Sequence, residues 1–214
     1  MNLKLITLEG RYVRLEPLEL LHHADLCEAG LTPEIWRWMP LGIENADDMR
    51  AFIDTALQWQ AEGTSLPFVT IVKSTGRAVG STRYANVDKL NRRLEIGWTW
   101  IEPRWQQTAV NTEAKYLMLQ HAFEVLGCLR VEFKTDSLND RSRKALSRIG
   151  ATEEGTFRNH MVTPSGRIRH SVYFSIIDSE WPSVKAKLEQ RLASKDALMA
   201  RASSGPDGSG FPCG

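Results

Sequence analysis

Apolar positions along this chain repeat with two periods, one strand-like and one helical, and the switches between them predict its elements. Residues 11–15 alternate around Tyr12, Val13 and Leu15 as a half-buried strand does, and Pro17 ends the run. Residues 18–29 follow as a helix. Residues 32–42, which carry Pro33, Trp36, Trp38, Pro40 and Gly42, read as an irregular helix–loop segment. Met49, Phe52, Ile53, Ala56 and Leu57 return to helical spacing within residues 45–62, and Gly63 stops that helix. Strand patterns then come in quick succession over residues 67–72, 77–85 and 92–100, with Ser74-Thr75-Gly76 as the turn between the first two. In the last of these, Leu94 to Trp100 alternates apolar and other residues, and Pro103, having no N–H to donate, stops the ladder. Residues 104–111 form a loop. Asn111 or Thr112 is the candidate cap of a helix with Ala114, Leu117, Met118, His121, Ala122 and Val125 on one side. Beyond Gly127, residues 130–135 form a strand, and Asn139 opens a helix that ends at Gly150, with Ser142, Ala145, Leu146 and Ile149 on one side. Residues 151–159 and 169–177 are two final strands joined through Pro164-Ser165-Gly166. Residues 179–192 close the pattern as a helix with Pro182 in its first turn, where proline is tolerated.

The order β-α-α-β-β-β-α-β-α-β-β-α, with strands that meander before a crossover helix, implies a mixed α/β fold. Its central sheet has about seven strands, mostly antiparallel, with helices on both faces. A chain of 214 residues, 42% hydrophobic, suffices for one sizeable core, so one domain is expected over residues 1–195. Residues 196–214, rich in Gly, Ser and Pro from Gly205 onward, are expected to be a flexible tail. The 27 basic and 26 acidic residues leave a net charge of +1, which argues against bulk nucleic-acid or membrane binding. Apolar runs are too short to cross a bilayer and no signal-peptide pattern opens the chain, so a cytoplasmic location is expected. Cys27, Cys128 and Cys213 are odd in number and widely spaced, and no histidine pair has ligand spacing. Neither a disulfide framework nor a metal site is expected.

The chemistry of the chain concentrates between Leu94 and Gly150. A strand–loop–helix junction there is followed by a second strand and a second helix start. Helix starts present free backbone N–H groups and the positive end of a dipole, so together the two suit one anionic ligand. A molecule with a pyrophosphate and a long arm would fit between them.

Three motifs then point to a family: Gly10-Arg11-Tyr12-Val13-Arg14-Leu15-Glu16-Pro17, Leu94-Glu95-Ile96-Gly97-Trp98, and Asn139-Asp140-Arg141-Ser142-Arg143-Lys144-Ala145-Leu146. With Glu180-Trp181-Pro182, they make residues 8–193 resemble the GNAT superfamily of acetyl-CoA-dependent N-acetyltransferases. Within it the chain is most similar to the RimJ/RimL-like branch of ribosomal-protein alanine N-acetyltransferases. The resemblance implies the GNAT-type acyl-CoA N-acyltransferase fold, acetyl-CoA as cosubstrate and no metal. The acceptor it implies is a primary amine, on a protein N-terminus or a small molecule, that attacks the thioester directly within a ternary complex. It also allows a homodimer, since relatives often form one.

Site residues follow from the same resemblance. Backbone groups of Trp98, Thr99, Trp100 and Ile101 would pair with the pantetheine arm. Amides of Gln106, Gln107, Thr108, Ala109, Val110, Asn111 and Thr112 would hold the pyrophosphate. The family's loop usually reads Gln/Arg-x-x-Gly-x-Gly or Ala, whereas residues 105–111 here contain no glycine. Asn139 would contact the cofactor arm, Ser142 would protonate the leaving thiolate, and Arg143 or Lys144 would pair with the ribose phosphate.

Each of these has a plainer alternative. Asn139 is also a natural N-cap, and Ser142 also suits a packed helix face. Lys134, Arg141, Arg143, Lys144 and Arg148 also read as a solvated basic face. Glu95, opposite Leu94 and Ile96 on its strand and just before a point where a bulge would open the sheet, is the candidate general base. It could equally be a structural partner of Arg92, Arg93 or Arg83. His160 lies beyond the sixth strand on the acceptor side, with a titration range suited to proton transfer. Trp36 and Trp38 could bracket the acceptor, or equally plug the core or a dimer contact. Cys128 falls at a helix–strand junction away from the thioester, so no covalent cysteine step is expected. A CoA-binding module without chemistry is the alternative that the glycine-free loop favours and that Glu95, Asn139 and Ser142 oppose.

Overall fold

The strand-period segments become neighbours in one sheet, as computed in a structural model that describes residues 1–203. The strands are β1 (Leu8–Glu9), β2 (Val13–Pro17), β3 (Leu66–Val72), β4 (Arg77–Asp88), β5 (Arg93–Ile101), β6 (Arg130–Asp136), β7 (Thr152–Val162) and β8 (Ile168–Ile177). They lie in the order β1-β2-β3-β4-β5-β6-β8-β7. Every neighbouring pair is antiparallel except β5–β6, which is parallel. Helices α1 (His23–Gly30), α2 (Pro33–Trp36) and α3 (Ala46–Ala61) pack on one face around Leu26, Met49, Phe52, Ile53 and Trp100. Helices α4 (Ala109–Gln120), α5 (Asp140–Ile149) and α6 (Trp181–Ser203) pack on the other, around Val131, Phe133, Phe174, Met118 and Leu188. Of the tail expected over residues 196–214, residues 204–214 lie outside the described residues.

Local chemistry explains the helix ends. Asn45 caps α3 by accepting the amide of Asp48 at 3.0 Å, and Asn139 caps α5 by accepting that of Ser142 at 3.0 Å. Gly150 ends α5 in the left-handed conformation, at φ 98°, which a residue with a Cβ rarely adopts. The start of α4 departs from expectation. Thr108, not Asn111 or Thr112, is the cap: its hydroxyl accepts the Val110 amide at 3.2 Å and donates to the Trp105 carbonyl at 2.7 Å. Asn111 and Thr112 therefore lie inside the helix. At its other end α4 passes into a π-helical turn, His121–Val125. That turn rotates the stripe, so Val125 is exposed although helical spacing put it in the core.

Two further differences bear on function. The β7–β8 hairpin is longer than the alternation suggested, because the Thr163 amide donates to Arg167 O at 2.9 Å and closes a tight turn. His160 is therefore within a strand. In β5, Ser81 pairs with Trp100 and Arg83 with Gly97, so Trp98 and Thr99 together oppose Thr82. This bulge holds Trp98 at φ 53°, in the left-handed region that large side chains avoid. It also shifts the parity of the strand. Leu94 and Ile96 point to the α4 side, yet Trp100 packs on the α1–α3 side and Thr99 faces α4.

A carboxylate pins the start of the sheet. Glu113 of α4 accepts the amides of Arg11, Tyr12 and Val13 at 2.8, 2.6 and 2.8 Å. A Cβ on Gly10 would stand 2.4 Å from that carboxyl carbon, so only glycine lets the turn close around it. The opening motif thus has a structural purpose that its sequence did not announce.

Candidate active site

The site begins where β5 and β6 part. Their parallel pairing covers Arg93↔Arg130, Leu94↔Val131 and Glu95↔Glu132 and goes no further. Past Glu95 the β6-facing edge of β5 has no described ladder partner, while its other edge stays paired to β4 through the bulge. The strand ends at Ile101, and the chain turns through Pro103–Trp105 into the start of α4. The wedge between β5 and β6 therefore leads to a helix N-terminus. The first N–H groups of a helix lack partners within it, and Thr108 takes only that of Val110. Gln107, with φ 62°, is the turn residue that brings the chain round to this start.

The loop is braced by side chains. Gln106 donates to Ile101 O at 2.9 Å and accepts from Arg141 at the start of α5. Lys195 of α6 donates to Gln107 O at 3.3 Å. Asn139 uses its Oδ1 for capping, which leaves its Nδ2 without a described partner. The Ser142 hydroxyl, half-buried one turn along, likewise makes no described hydrogen bond. Arg143 points elsewhere: it pairs with Glu153 at 3.2 Å and reaches Ser137 O at 3.4 Å. Lys134, grouped with this helix by sequence, instead lies on the opposite side of β6.

Glu95 is buried, 4% exposed. Its Oε2 accepts from Asn86 Nδ2 at 2.8 Å and lies 3.7 Å from Lys134 Nζ, so its partners are these two and not Arg92, Arg93 or Arg83. Its Oε1 lies over Gly97, where a Cβ would sit 2.4 Å away, and takes no described hydrogen bond. The free lone pairs of this oxygen are at the mouth of the wedge.

The polar face of β6 and β8 extends the site beyond Glu95. Cross-strand pairs Glu132↔Ser175, Lys134↔Tyr173 and Asp136↔Ser171 line it. Helices α1 and α3 cover β4 and β3, on the far side of β5. His160 of β7 joins this face. Its Nδ1 lies 3.0 Å from Ser171 Oγ, and its ring meets those of Phe157 and Tyr173 edge-on. Burial first, then repulsion from Lys134 and Arg169, lowers its pKa against the pull of Glu95. The ring is neutral near pH 7 and can accept a proton.

The two tryptophans divide. Trp36 is buried, donates to Gly30 O at 2.7 Å and packs on Trp100 and Phe52, so it is a core plug. Trp38 is half-buried, its ring beneath Arg37 and Arg167 and its carbonyl accepting from Arg169 at 3.1 Å, which puts it at the rim of the polar face.

Sequence reasoning did not foresee that Arg83, Lys115 and Arg169 are buried. Arg83 of β4 lies among Phe52, Trp59 and Trp98, at 4.9, 5.4 and 5.0 Å from the ring centres, and burial lowers its pKa to about 10. Lys115 of α4 donates to Thr99 Oγ1 at 2.7 Å and to Thr82 Oγ1 at 3.4 Å. Beside it Thr70, Thr82, Thr99 and Asn111 help enclose a cavity with room for about one water. Burial lowers the Lys115 pKa to about 7. A signal existed for Lys115, since it shares a helical stripe with Leu119 and Ala122. For Arg83 there was none.

A strand parted from its parallel neighbour beside a bulge, feeding a capped helix start, defines the acyl-CoA N-acyltransferase class of fold. The comparisons agree. A family profile described as an acetyltransferase (GNAT) domain matches residues 13–152. Uncharacterized N-acetyltransferase p20 of Bacillus licheniformis is 28% identical over 180 residues, covering 82% of this chain and 98% of that one. The crystal structure of a GCN5-related N-acetyltransferase from Brucella melitensis superimposes with a TM-score of 0.82 at 33% identity, over 88% of this chain and 86% of that one. Mycobacterium smegmatis RimJ in complex with CoA-disulfide shares the fold, with a TM-score of 0.73 at 23% identity over 87% and 92%. The chain belongs to the GNAT family of acetyltransferases. Among the described residues, no helix is long and apolar enough to cross a membrane.

Proposed function

We propose that this enzyme transfers the acetyl group of acetyl-CoA to a primary amine, on a protein N-terminus or a small molecule, by direct attack within a ternary complex. The parting of β5 from β6 at Glu95 carries this reading, because it frees a strand edge that leads to the start of α4. The residues fit the cosubstrate. Backbone groups of residues 98–101 would pair with an extended arm, and the amides around residues 106–111 and the α4 dipole would take a pyrophosphate. Asn139, through its free Nδ2, would hold the arm from the α5 side. Bound there, acetyl-CoA supplies the activated thioester.

Glu95 acts as the base. Asn86 and Lys134 fix its Oε2. Its Oε1 is then left to accept the amine proton, directly or through one water. The neutral His160 ring offers a second acceptor on the same face. Ser142 orients toward the leaving sulfur as a hydrogen-bond donor, while orientation of amine and thioester supplies most of the acceleration. Trp38 and the polar face of β6 and β8 would receive the acceptor.

The test is thiol release from acetyl-CoA across a panel of N-terminal peptides and small amines, for wild type and Glu95→Gln. Turnover with at least one amine, lost in Glu95→Gln while acetyl-CoA binding persists, is the expected result. Equal turnover by both proteins would remove Glu95 from the chemistry. No turnover with any member of a broad panel, despite tight binding, would favour a CoA-binding module.

A further inference from the structure

The bulge of β5 is gripped from both faces of the sheet by buried cations, Lys115 and Arg83, and neither meets a carboxylate among the described residues. On the α4 side, Lys115 Nζ donates to Thr99 Oγ1 at 2.7 Å and to Thr82 Oγ1, on the opposing strand, at 3.4 Å. The two hydroxyls stand 2.8 Å apart, and that of Thr99 reaches back to Gly97 O at 3.4 Å. An ammonium can only donate, so the Thr99 oxygen accepts from it. With Thr82 as the donor of the hydroxyl pair, the Thr99 proton is left for Gly97 O, across the extra residue of the bulge.

On the α1–α3 side, Arg83 lies opposite Gly97 in the ladder. Its guanidinium is 5.0 Å from the Trp98 ring and is closed in by Phe52 at 4.9 Å and Trp59 at 5.4 Å. Trp59 of α3 packs on Trp98 in turn, at 5.3 Å. The Arg83 Nε and Nη2 are buried with no described hydrogen-bond partner, so the ring faces are their compensation. Buried charges without counterions lower stability. Yet each of these ends on one residue of the bulge, and Trp98 is held at φ 53°, a conformation that persists only where its surroundings over-determine it.

We infer that Lys115 and Arg83 are positioning residues for acetyl transfer: by holding Thr99 and Trp98 from opposite faces, they set the bulge that aligns the thioester with Glu95. This inference rests on the acetyl-CoA reading and adds to it two cations that touch no substrate. The backbone of the bulge lies in the segment that would pair with the acyl arm, and Glu95 Oε1 lies over Gly97, one residue before it. A relaxed bulge would therefore move the thioester relative to the base while leaving the helix start of α4 in place.

The experiment pairs steady-state thiol release, using the amine that wild type acetylates fastest, with calorimetric titration of acetyl-CoA. The proteins are wild type, Lys115→Met, Thr99→Val, their double variant, Arg83→Met and Arg83→Lys. Lys115→Met and Thr99→Val should each lower kcat by about 10²-fold, with acetyl-CoA affinity within about threefold of wild type. Because the lysine acts through the hydroxyl, the double variant should lose no more than about threefold beyond either single change. Arg83→Met should lower kcat likewise, and Arg83→Lys, which keeps a cation among the rings, should recover at least about tenfold of that loss. Urea denaturation at pH 7 should find Lys115→Met no less stable than wild type, which separates lost turnover from lost folding. Should a methionine variant fail to fold, Thr99→Val and Arg83→Lys carry the test on its face of the sheet. Unchanged kcat in these variants, or losses that multiply in the double variant, overturns the inference and leaves the acetyl-CoA reading standing. A loss of acetyl-CoA affinity in step with kcat also overturns it, since the cations would then merely hold the sheet together. Wild type that acetylates no amine overturns both.

Discussion

Lys115 gives the sharpest energetic prediction, because its charge is buried against two threonine hydroxyls with no carboxylate. Its pKa is about 7 in the folded protein, against 10.5 as the reference for an exposed lysine. Between these values the unfolded chain binds the extra proton, so stability rises with pH across this window. At pH 6.5 both states are largely protonated and the penalty is nearly complete. At pH 9.5 the native lysine is neutral and most of the penalty has gone. The two pKa values make this a difference on the order of 3 kcal/mol in unfolding free energy. Lys115→Met keeps the length of the side chain and removes the charge. Its stability relative to wild type should be greatest at acid pH and should diminish toward pH 9.5 by the same amount. Urea denaturation of both proteins at pH 6.5, 8 and 9.5 measures this, because groups common to both cancel in the difference. A constant difference across the three pH values would refute the buried-lysine account.

Further outcomes follow from the same contacts. Glu113→Gln presents an amide donor to backbone donors in the turn at residues 11–13, and should cost about 1–3 kcal/mol by denaturation, with faster hydrogen exchange at those amides. A loss below about 0.5 kcal/mol would show that the carboxylate is dispensable. Gly97→Ala puts a Cβ 2.4 Å from Glu95 Oε1 and must displace that carboxylate. Turnover should fall by about 10²-fold with little change in melting temperature, and a variant with normal turnover would mean that the Glu95 position is immaterial. His160→Gln removes a proton acceptor that the structure keeps neutral, so activity near pH 7 should fall while acetyl-CoA affinity holds. An equal loss in both would make His160 a packing residue.

The parts of this molecule governed by local chemistry were legible in the sequence. Asn45 and Asn139 marked helix starts and Gly150 marked a helix end, since each satisfies its own backbone neighbours. Thr108 displaced the expected cap of α4 because its hydroxyl meets both Val110 N and Trp105 O, a choice that spacing alone could not rank. The β5 bulge was harder. Leu94 to Trp100 reads as clean alternation, yet the extra residue at Trp98–Thr99 moves Trp100 to the α1–α3 face. Only pairing with β4 reveals it.

The site divides in the same way. Residues 94–112 and Asn139 could be found because the family motifs are contiguous in sequence. The Asn86 and Lys134 contacts of Glu95, the place of His160 in β7 and the meeting of α6 with the Gln107 carbonyl depend on sheet order and on helix packing. Charge counting read the chain as neutral overall.

The central claim is that a strand edge freed at Glu95 and a glycine-free helix start together hold acetyl-CoA. Calorimetric titration of the full chain with acetyl-CoA tests it without any assumption about the acceptor. The account predicts one ligand per chain with a dissociation constant on the order of 1–100 μM. No heat of binding at millimolar ligand would contradict it, and the fold would then be retained without its cosubstrate.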